Sequence, residues 1–320
     1  MAVVNQPVIE TVRLSKSYRT GFRMKRVQAL SELNLQVEEG EIFGFLGPNG
    51  AGKTTTIKIL IGLAQPSSGF ATVLGRAPRD PRVKRRVGFL PESPYFYEYL
   101  TAVEFLTLTA QLSGVPYSEI PGRVRQMLKL VRMEHAASQQ MRGFSRGMLQ
   151  RIGIAQALIH DPEVVILDEP MGGLDPIGRK EFRDIIVGLR EQGKTVFFST
   201  HILADVEMIC DRVGIIVGGK MVEIGRLSEI LTGEVESIEI TLQGVSGKFR
   251  KGLERIAERS IESGELLLLT VKSEEDVERV LAIAREAQAK VRSIIPRSLT
   301  LEEFFMARVR GAGRNGGGNA

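Results

Sequence analysis

The chain of 320 residues predicts an α/β protein with a parallel-sheet core, an antiparallel β subdomain, a helical insertion and a small C-terminal α+β domain. Three observations carry this prediction. Short continuous apolar runs at 42–46, 164–167 and 195–199 are each followed by a helix-like pattern, as in a parallel sheet covered on both faces. Between about 101 and 160 that alternation gives way to helical spacing alone. Past Gly233 a separate set of alternating strands and amphipathic helices begins.

In chain order, Val8 to Leu14 and Leu33 to Val37 alternate apolar and polar residues, the pattern of half-buried antiparallel strands. Tyr18 and a basic loop, Arg23 to Arg26, lie between them. Ile42 to Leu46 predicts a buried strand, Thr56 to Ile61 a helix packed on a sheet, and Phe70 to Leu74 a further short strand after the turn Pro66-Ser67-Ser68-Gly69. Phe105, Leu106, Leu108 and Leu112 mark one helix, Met127, Leu128 and Val131 a second, and Ile152, Ala155, Gln156 and Ile159 a third. The strand Val164 to Leu167, the helix Pro176 to Arg190, the strand Thr195 to Ser199 and the helix Ile202 to Cys210 resume the alternation. A hairpin through Gly218-Gly219 joins Val213–Val217 to Met221–Ile224.

The C-terminal pattern reads β-α-β-α-β-α: Ile238–Leu242, Phe249–Arg259, Leu266–Val271, Glu274–Ala289, Val291–Ile295 and about Ser298–Arg308, a variant of the ferredoxin-like order. The expected domains are 1–235, with its helical subdomain at about 95–160, then 236–309, then a Gly-rich tail at 310–320 that cannot bury a core.

Composition narrows the class. With 43% hydrophobic and 25% charged residues the chain fits an ordinary globular protein. A net charge of +5 selects neither lipid nor nucleic acid as a partner, and the runs around Arg76–Arg86 and Arg308–Arg314 read as solvated faces. One cysteine excludes an internal disulfide and a cysteine-clustered zinc site. Met1 to Glu10 has no basic segment leading into an apolar core, and no apolar run nears the ~20 residues of a membrane span. The expected compartment is cytosol, or the cytosolic face of a membrane.

Gly47-Pro48-Asn49-Gly50-Ala51-Gly52-Lys53-Thr54-Thr55 sits between the buried strand and its helix, which is the context a phosphate-binding P-loop requires. Its glycines let backbone N–H groups converge on one point, and the helix N-terminus adds about half a positive charge there. Lys53 is placed to reach β- and γ-phosphates and the Thr54 hydroxyl to bind Mg²⁺. The core therefore reads as a P-loop NTPase that binds a nucleoside triphosphate, with kinases, GTPases, helicases and transport ATPases all open. The run Val164–Leu167 delivers Asp168 to its end as a second Mg²⁺ contact, and Glu169 beside it is placed to polarise a water for attack on the γ-phosphate.

Phe144-Ser145-Arg146-Gly147-Met148-Leu149-Gln150-Arg151 resembles the Leu-Ser-Gly-Gly-Gln signature of ATP-binding-cassette (ABC) ATPases. With it, residues 8–233 follow that family's motif order. By this resemblance Tyr18 corresponds to the aromatic that stacks on adenine, Pro91-Glu92 to the Q-loop, Gly173-Leu174-Asp175-Pro176 to the D-loop and His201 to the switch histidine. The resemblance implies ATP as substrate, Mg²⁺ held by Thr54, Asp168 and Glu92, and catalysis by Glu169, His201 and Lys53. Ser145 and the Gly147 amide can donate to γ-phosphate at a helix N-terminus. In the family they serve the ATP of a second subunit, which implies a homodimer, or a pair with a related ATPase subunit, docked on a membrane permease. His135 and His160 lack such context and read as surface or helix-end residues.

Three departures stand out: Arg146 and Met148 in the signature, Glu92 for glutamine in the Q-loop, and Met171 after Asp168-Glu169-Pro170. They resemble the branch that powers bacterial multidrug, lipid and polysaccharide exporters with separately encoded permeases, as does the ending Ser298-Leu299-Thr300-Leu301-Glu302-Glu303-Phe304-Phe305. The leading expectation is the ATP-hydrolysing subunit of such an exporter, peripheral on the inner face of the cell membrane, with no nucleic acid partner. A soluble ABC ATPase acting on nucleic acid or ribosomes is the alternative; one P-loop, one cysteine and no sustained heptads weigh against it. A degenerate nucleotide sensor is opposed by intact Lys53, Asp168, Glu169 and His201. Glu92 to Leu100, with four aromatics at Tyr95, Phe96, Tyr97 and Tyr99, is the expected permease-facing stretch, with packing inside the helical subdomain as the competing role.

Overall fold

In the computed structural model, residues 6–20, 25–230, 235–298, 301–306 and 308 are described. The expected tail at 310–320, half of the basic loop at 23–26 and the transition around Gly233 lie outside them. Two compact units result, one running to Leu227 and taking in Arg308, the other Ser228–Ala307. The division thus falls ahead of the expected residue 235.

The first unit contains β1 (Ile9–Thr20), β2 (Lys25–Val37), β3 (Ile42–Leu46), α1 (Lys53–Leu60), β4 (Ser68–Val73), α2 (Pro81–Lys84), β5 (Val87–Leu90), α3 (Ala102–Leu112), α4 (Ile120–Leu130), α5 (Arg146–Leu158), β6 (Val164–Asp168), α6 (Pro176–Glu191), β7 (Thr195–Thr200), α7 (Leu203–Ile209), β8 (Arg212–Val217) and β9 (Lys220–Arg226). Strands β2-β1-β4 form an antiparallel sheet. Strands β5-β6-β7-β3-β8 form the parallel sheet, closed at one edge by antiparallel β9. The sequence pattern assigned no element to β5. It is four residues long and follows a basic run, so periodicity has nothing to register.

One core joins the two sheets. Leu14, Leu33 and Leu35 of the antiparallel sheet meet Ile57, Ile59 and Leu60 of α1, and these meet Phe43, Phe45 and Phe197 of the parallel sheet. The rings of Phe43 and Phe197 stack 5.7 Å apart, and Phe45 tilts on Phe197 at 5.4 Å. Each ring buried this way contributes about 1.5–3 kcal/mol. Register then decides where the site falls. Leu46 pairs with Thr200 and Asp168 with Ser199, so the carboxyl ends of β3, β6 and β7 finish side by side. In open parallel sheets that edge is where ligands bind.

Helices α3, α4 and α5 form the expected insertion. Thr101 caps α3 with a reciprocal Glu104 capping box, and Ser145 caps α5 by accepting from Met148 N at 3.3 Å.

The second unit contains α8 (Leu227–Ile230), at its boundary, then β10 (Val235–Gln243), α9 (Gly247–Ile256), β11 (Arg259–Ser263), β12 (Leu266–Val271), α10 (Glu274–Glu286) and β13 (Lys290–Ser298), with residues 301–306 helical. Its sheet runs β11-β12-β10-β13, all antiparallel. From β10 onward the order is therefore β-α-β-β-α-β followed by the final helix, rather than the expected β-α-β-α-β-α. The difference is β11, whose residues Arg-Ser-Ile-Glu-Ser are all exposed on an edge and show no apolar alternation. The order and the antiparallel sheet are those of a ferredoxin-like fold. Ile240, Leu242, Leu253, Leu267, Leu269, Val271 and Val280 form its own core.

Candidate active site

The P-loop leaves β3 at Gly47 and enters α1 at Lys53. Gly52 stands at the helix N-cap with φ 112°, and a Cβ there would meet Leu30 Cδ2 at 2.7 Å and Ala29 O at 2.8 Å. Only glycine fits that turn. Lys53 is buried, and its Nζ donates to Gly47 O at 2.6 Å and Pro48 O at 3.2 Å. The same ammonium lies 3.0 Å from Glu169 Oε1, an ion pair whose angles fall outside hydrogen-bond geometry.

At the end of β6, Asp168 Oδ1 accepts from Ser199 Oγ at 2.6 Å and, at the limit of bonding, from Thr54 Oγ1 at 3.4 Å. Ser199 Oγ in turn accepts from Glu169 N at 2.9 Å. Glu169 adopts φ 48°, an uncommon conformation for a non-glycine residue that costs about 1–3 kcal/mol. The bond to Ser199, and the one Glu169 O accepts from Gly172 N at 3.1 Å, hold it there. His201 follows β7, and its Nδ1 lies 2.8 Å from Glu169 Oε2. Since a carboxylate only accepts, Nδ1 carries the proton of this bond.

These groups line one cavity of about 460 Å³ formed by Ala29, Asn49 to Thr55, Glu92, Arg146, Glu169, Gly172, Gly173 and His201. The tertiary structure thus brings Lys53, Thr54, Glu92, Glu169 and His201 together. Asp168 is buried beneath the cavity and joined to it through Thr54. Tyr18 stands outside that lining, on β1, with Lys16 Nζ 4.9 Å above its ring. Ser145 and Gly147 line a different groove of about 470 Å³ with Arg132, Met133, Leu174 and Glu181. His135 lines that groove too, while half-buried His160 bonds Val87 O through Nε2 at 3.2 Å.

Three contributors escaped the sequence reading. Ser199 joins Asp168 to Glu169, and Gln150 Nε2 fixes the next turn by donating to Pro170 O at 2.8 Å. Both are buried polar residues, and only burial distinguishes them from ordinary ones. The third is Arg146, whose reach into the P-loop cavity depends on its rotamer.

The oxygen set suits a magnesium ion. Thr54 and Asp168 face each other across 3.4 Å, Glu92 lines the same cavity, and Mg²⁺ keeps water and substrate oxygens in its shell rather than requiring an all-protein cage. No helix among the described residues is long and apolar enough to cross a membrane.

Comparison with known proteins settles the family. The ABC transporter family model matches residues 30–172. An uncharacterised ABC transporter ATP-binding protein of Synechocystis sp. is 44% identical over 313 residues, covering 96% of this chain and 86% of that protein. The chain belongs to the ABC transporter ATP-binding family.

Among other ABC relatives, the Nod factor export ATP-binding protein I of Cupriavidus pinatubonensis is 34% identical over 280 residues, 87% of this chain and 85% of that protein. The solved dimer of the ATP-binding cassette MJ0796, in a post-hydrolysis state with ADP and Pi, superposes with a TM-score of 0.63 at 26% identity, covering 68% of this chain and 98% of that one. This ABC protein is accordingly an ATPase and the ATP-binding subunit of a transporter.

Proposed function

We propose that this ATPase drives an exporter, working as one half of a nucleotide-sandwiching homodimer on the inner face of the cell membrane beneath a separately encoded permease. The observation that carries the dimer is the separation of two surfaces. Lys53, Glu169 and His201 share one cavity, whereas Ser145 and Gly147 line another groove of the same chain. A chain in which Ser145 and Gly147 lie outside the P-loop cavity can complete its site with a second copy, as two-fold symmetry allows. The export direction is supported by the likeness to a Nod factor export protein across 87% of this chain, well beyond the ABC match at 30–172. In this reading residues 236–309 are an accessory domain.

Each group has a role in hydrolysis. The P-loop amides of Gly47 to Thr55 cradle the phosphates, and Lys53 exchanges its carbonyl partners for phosphate oxygens. Thr54, Asp168 and Glu92 hold Mg²⁺, which when bound neutralises charge on the phosphates. Glu169 takes a proton from the attacking water, and His201 holds the carboxylate in place through its 2.8 Å bond. Tyr18 stacks on the adenine, a contact worth about 0.5–1.5 kcal/mol. Ser145 Oγ and Gly147 N of the second copy close over the γ-phosphate. Closure on ATP and release after hydrolysis are then passed to the permease.

The permease-facing stretch divides in two. Phe96 is buried and packs edge-on against Phe105 at 5.2 Å, so it belongs to the helical subdomain. Tyr95 is 91% exposed and Tyr99 68%, and with Tyr97 they present apolar area for a partner. Affinity purification from solubilised membranes tests the whole reading. Co-purification of a polytopic membrane protein that raises ATPase activity is expected; an active ATPase that brings down only soluble proteins would sink it.

A further inference from the structure

Arg146 is the first residue of α5 and stands where the family signature carries glycine. Its side chain is exposed, and it crosses to the D-loop. The guanidinium lies so close on Gly173 that a Cβ there would fall 2.6 Å from both Arg146 Cζ and Nη1. Gly173 has φ +74°, and the preceding residue, Gly172, bonds the Glu169 carbonyl at 3.1 Å. The glycine pair is therefore a shallow cradle that seats this cation beside the turn holding Glu169.

The charge balance of the cavity gives the cation a purpose. Four residues with formal charge line it: Lys53, Arg146, Glu92 and Glu169. Lys53 is already paired with Glu169, so without Arg146 the balance would be set by Glu92, a carboxylate facing an anionic ligand. Arg146 itself has no carboxylate partner among the described residues. An exposed arginine seated on backbone, unpaired and facing a phosphate cavity is suited to phosphate oxygens.

We propose that Arg146 supplies a cation to the γ-phosphate of the ATP held by its own chain, so that a single subunit tells ATP from ADP before the second copy closes. The inference rests on Gly47–Thr55 being the triphosphate site. Ser145 and Gly147 line only the groove, whereas the Arg146 side chain lines both the groove and the P-loop cavity of its own chain.

The test is calorimetric titration of ATP and ADP, with Mg²⁺, into full-length protein kept monomeric at low concentration, as checked by ultracentrifugation. Arg146→Ala should weaken ATP binding about three- to tenfold and ADP binding less than about twofold, the scale of one cation acting through a partly solvated cavity. Arg146→Lys should keep the preference for ATP. Equal weakening of both nucleotides, or of neither, overturns the proposal, as does an ATP effect that arises only once dimers form. Arg146→Gln gives the same reading if the alanine variant is poorly folded. Lys53→Ala is the control: if it still binds both nucleotides normally, the triphosphate site itself has been misread, and the Arg146 result is not to blame.

Discussion

Lys53 Nζ and Glu169 Oε1 lie 3.0 Å apart, with both side chains more than nine-tenths buried. The P-loop cation and the carboxylate beside β6 thus neutralise each other, and Glu169 is held from its other oxygen by His201. In the proposed mechanism, phosphate entering this cavity competes for Lys53 and frees Glu169 to face water.

Lys53→Ala should have two separable effects. A unit charge at about 4 Å from a phosphate oxygen is worth roughly 4 kcal/mol at an effective dielectric of 20, so hydrolysis should drop about a thousandfold in a phosphate-release assay. Glu169 would also be left buried without its counter-ion, and urea melts of the nucleotide-free protein should show a loss of about 3 kcal/mol.

Glu169→Gln keeps the shape and the reach toward Lys53 while removing the base. ATP binding should persist and turnover fall by at least about a hundredfold. Gel filtration with ATP should then show a stable dimer. Undiminished phosphate release from a clean preparation would remove Glu169 from the base role.

Tyr97 and Tyr99 are exposed, their ring centroids 6.0 Å apart. Replacing both with alanine should leave basal ATPase activity and the melting temperature near wild type. Stimulation by the permease should fall severalfold, as expected when aromatic anchors leave an interface. Full stimulation would assign these rings to some other surface.

His160 predicts a pH effect away from the nucleotide. Burial holds its pKa below the ordinary 6.5, against the opposing pull of the Val87 carbonyl, and Nδ1 has no partner. A depressed histidine is neutral in both states above about pH 6.5, so its contribution there is flat. As pH falls through 6.5 the unfolded chain protonates first, and stability is lost until the folded pKa is reached. Thermal melts from pH 8 to 5 should show wild type losing more stability than His160→Gln in the acid half of that range. A constant difference across the range would rule this out.

The P-loop, Asp168-Glu169, the signature and His201 were legible because each is a short string whose chemistry depends on neighbours in sequence. The parallel strands were legible because fully buried strands are continuous apolar runs. Strands β5 and β11 were not, the first being four residues long and the second wholly exposed on an edge.

What the sequence determined, then, is the family and its candidate parts in order: the P-loop, the Asp168-Glu169 pair, the signature and His201. Only the tertiary structure decided how they meet. Register placed Asp168 beside Ser199 and Leu46 beside Thr200, gathering three strand ends that lie far apart in the chain. Burial turned Ser199 into the joint between Asp168 and Glu169. A side-chain rotamer laid Arg146 on Gly173. Pairing across a sheet and rotamer choice depend on residues distant in sequence, and no local pattern encodes them.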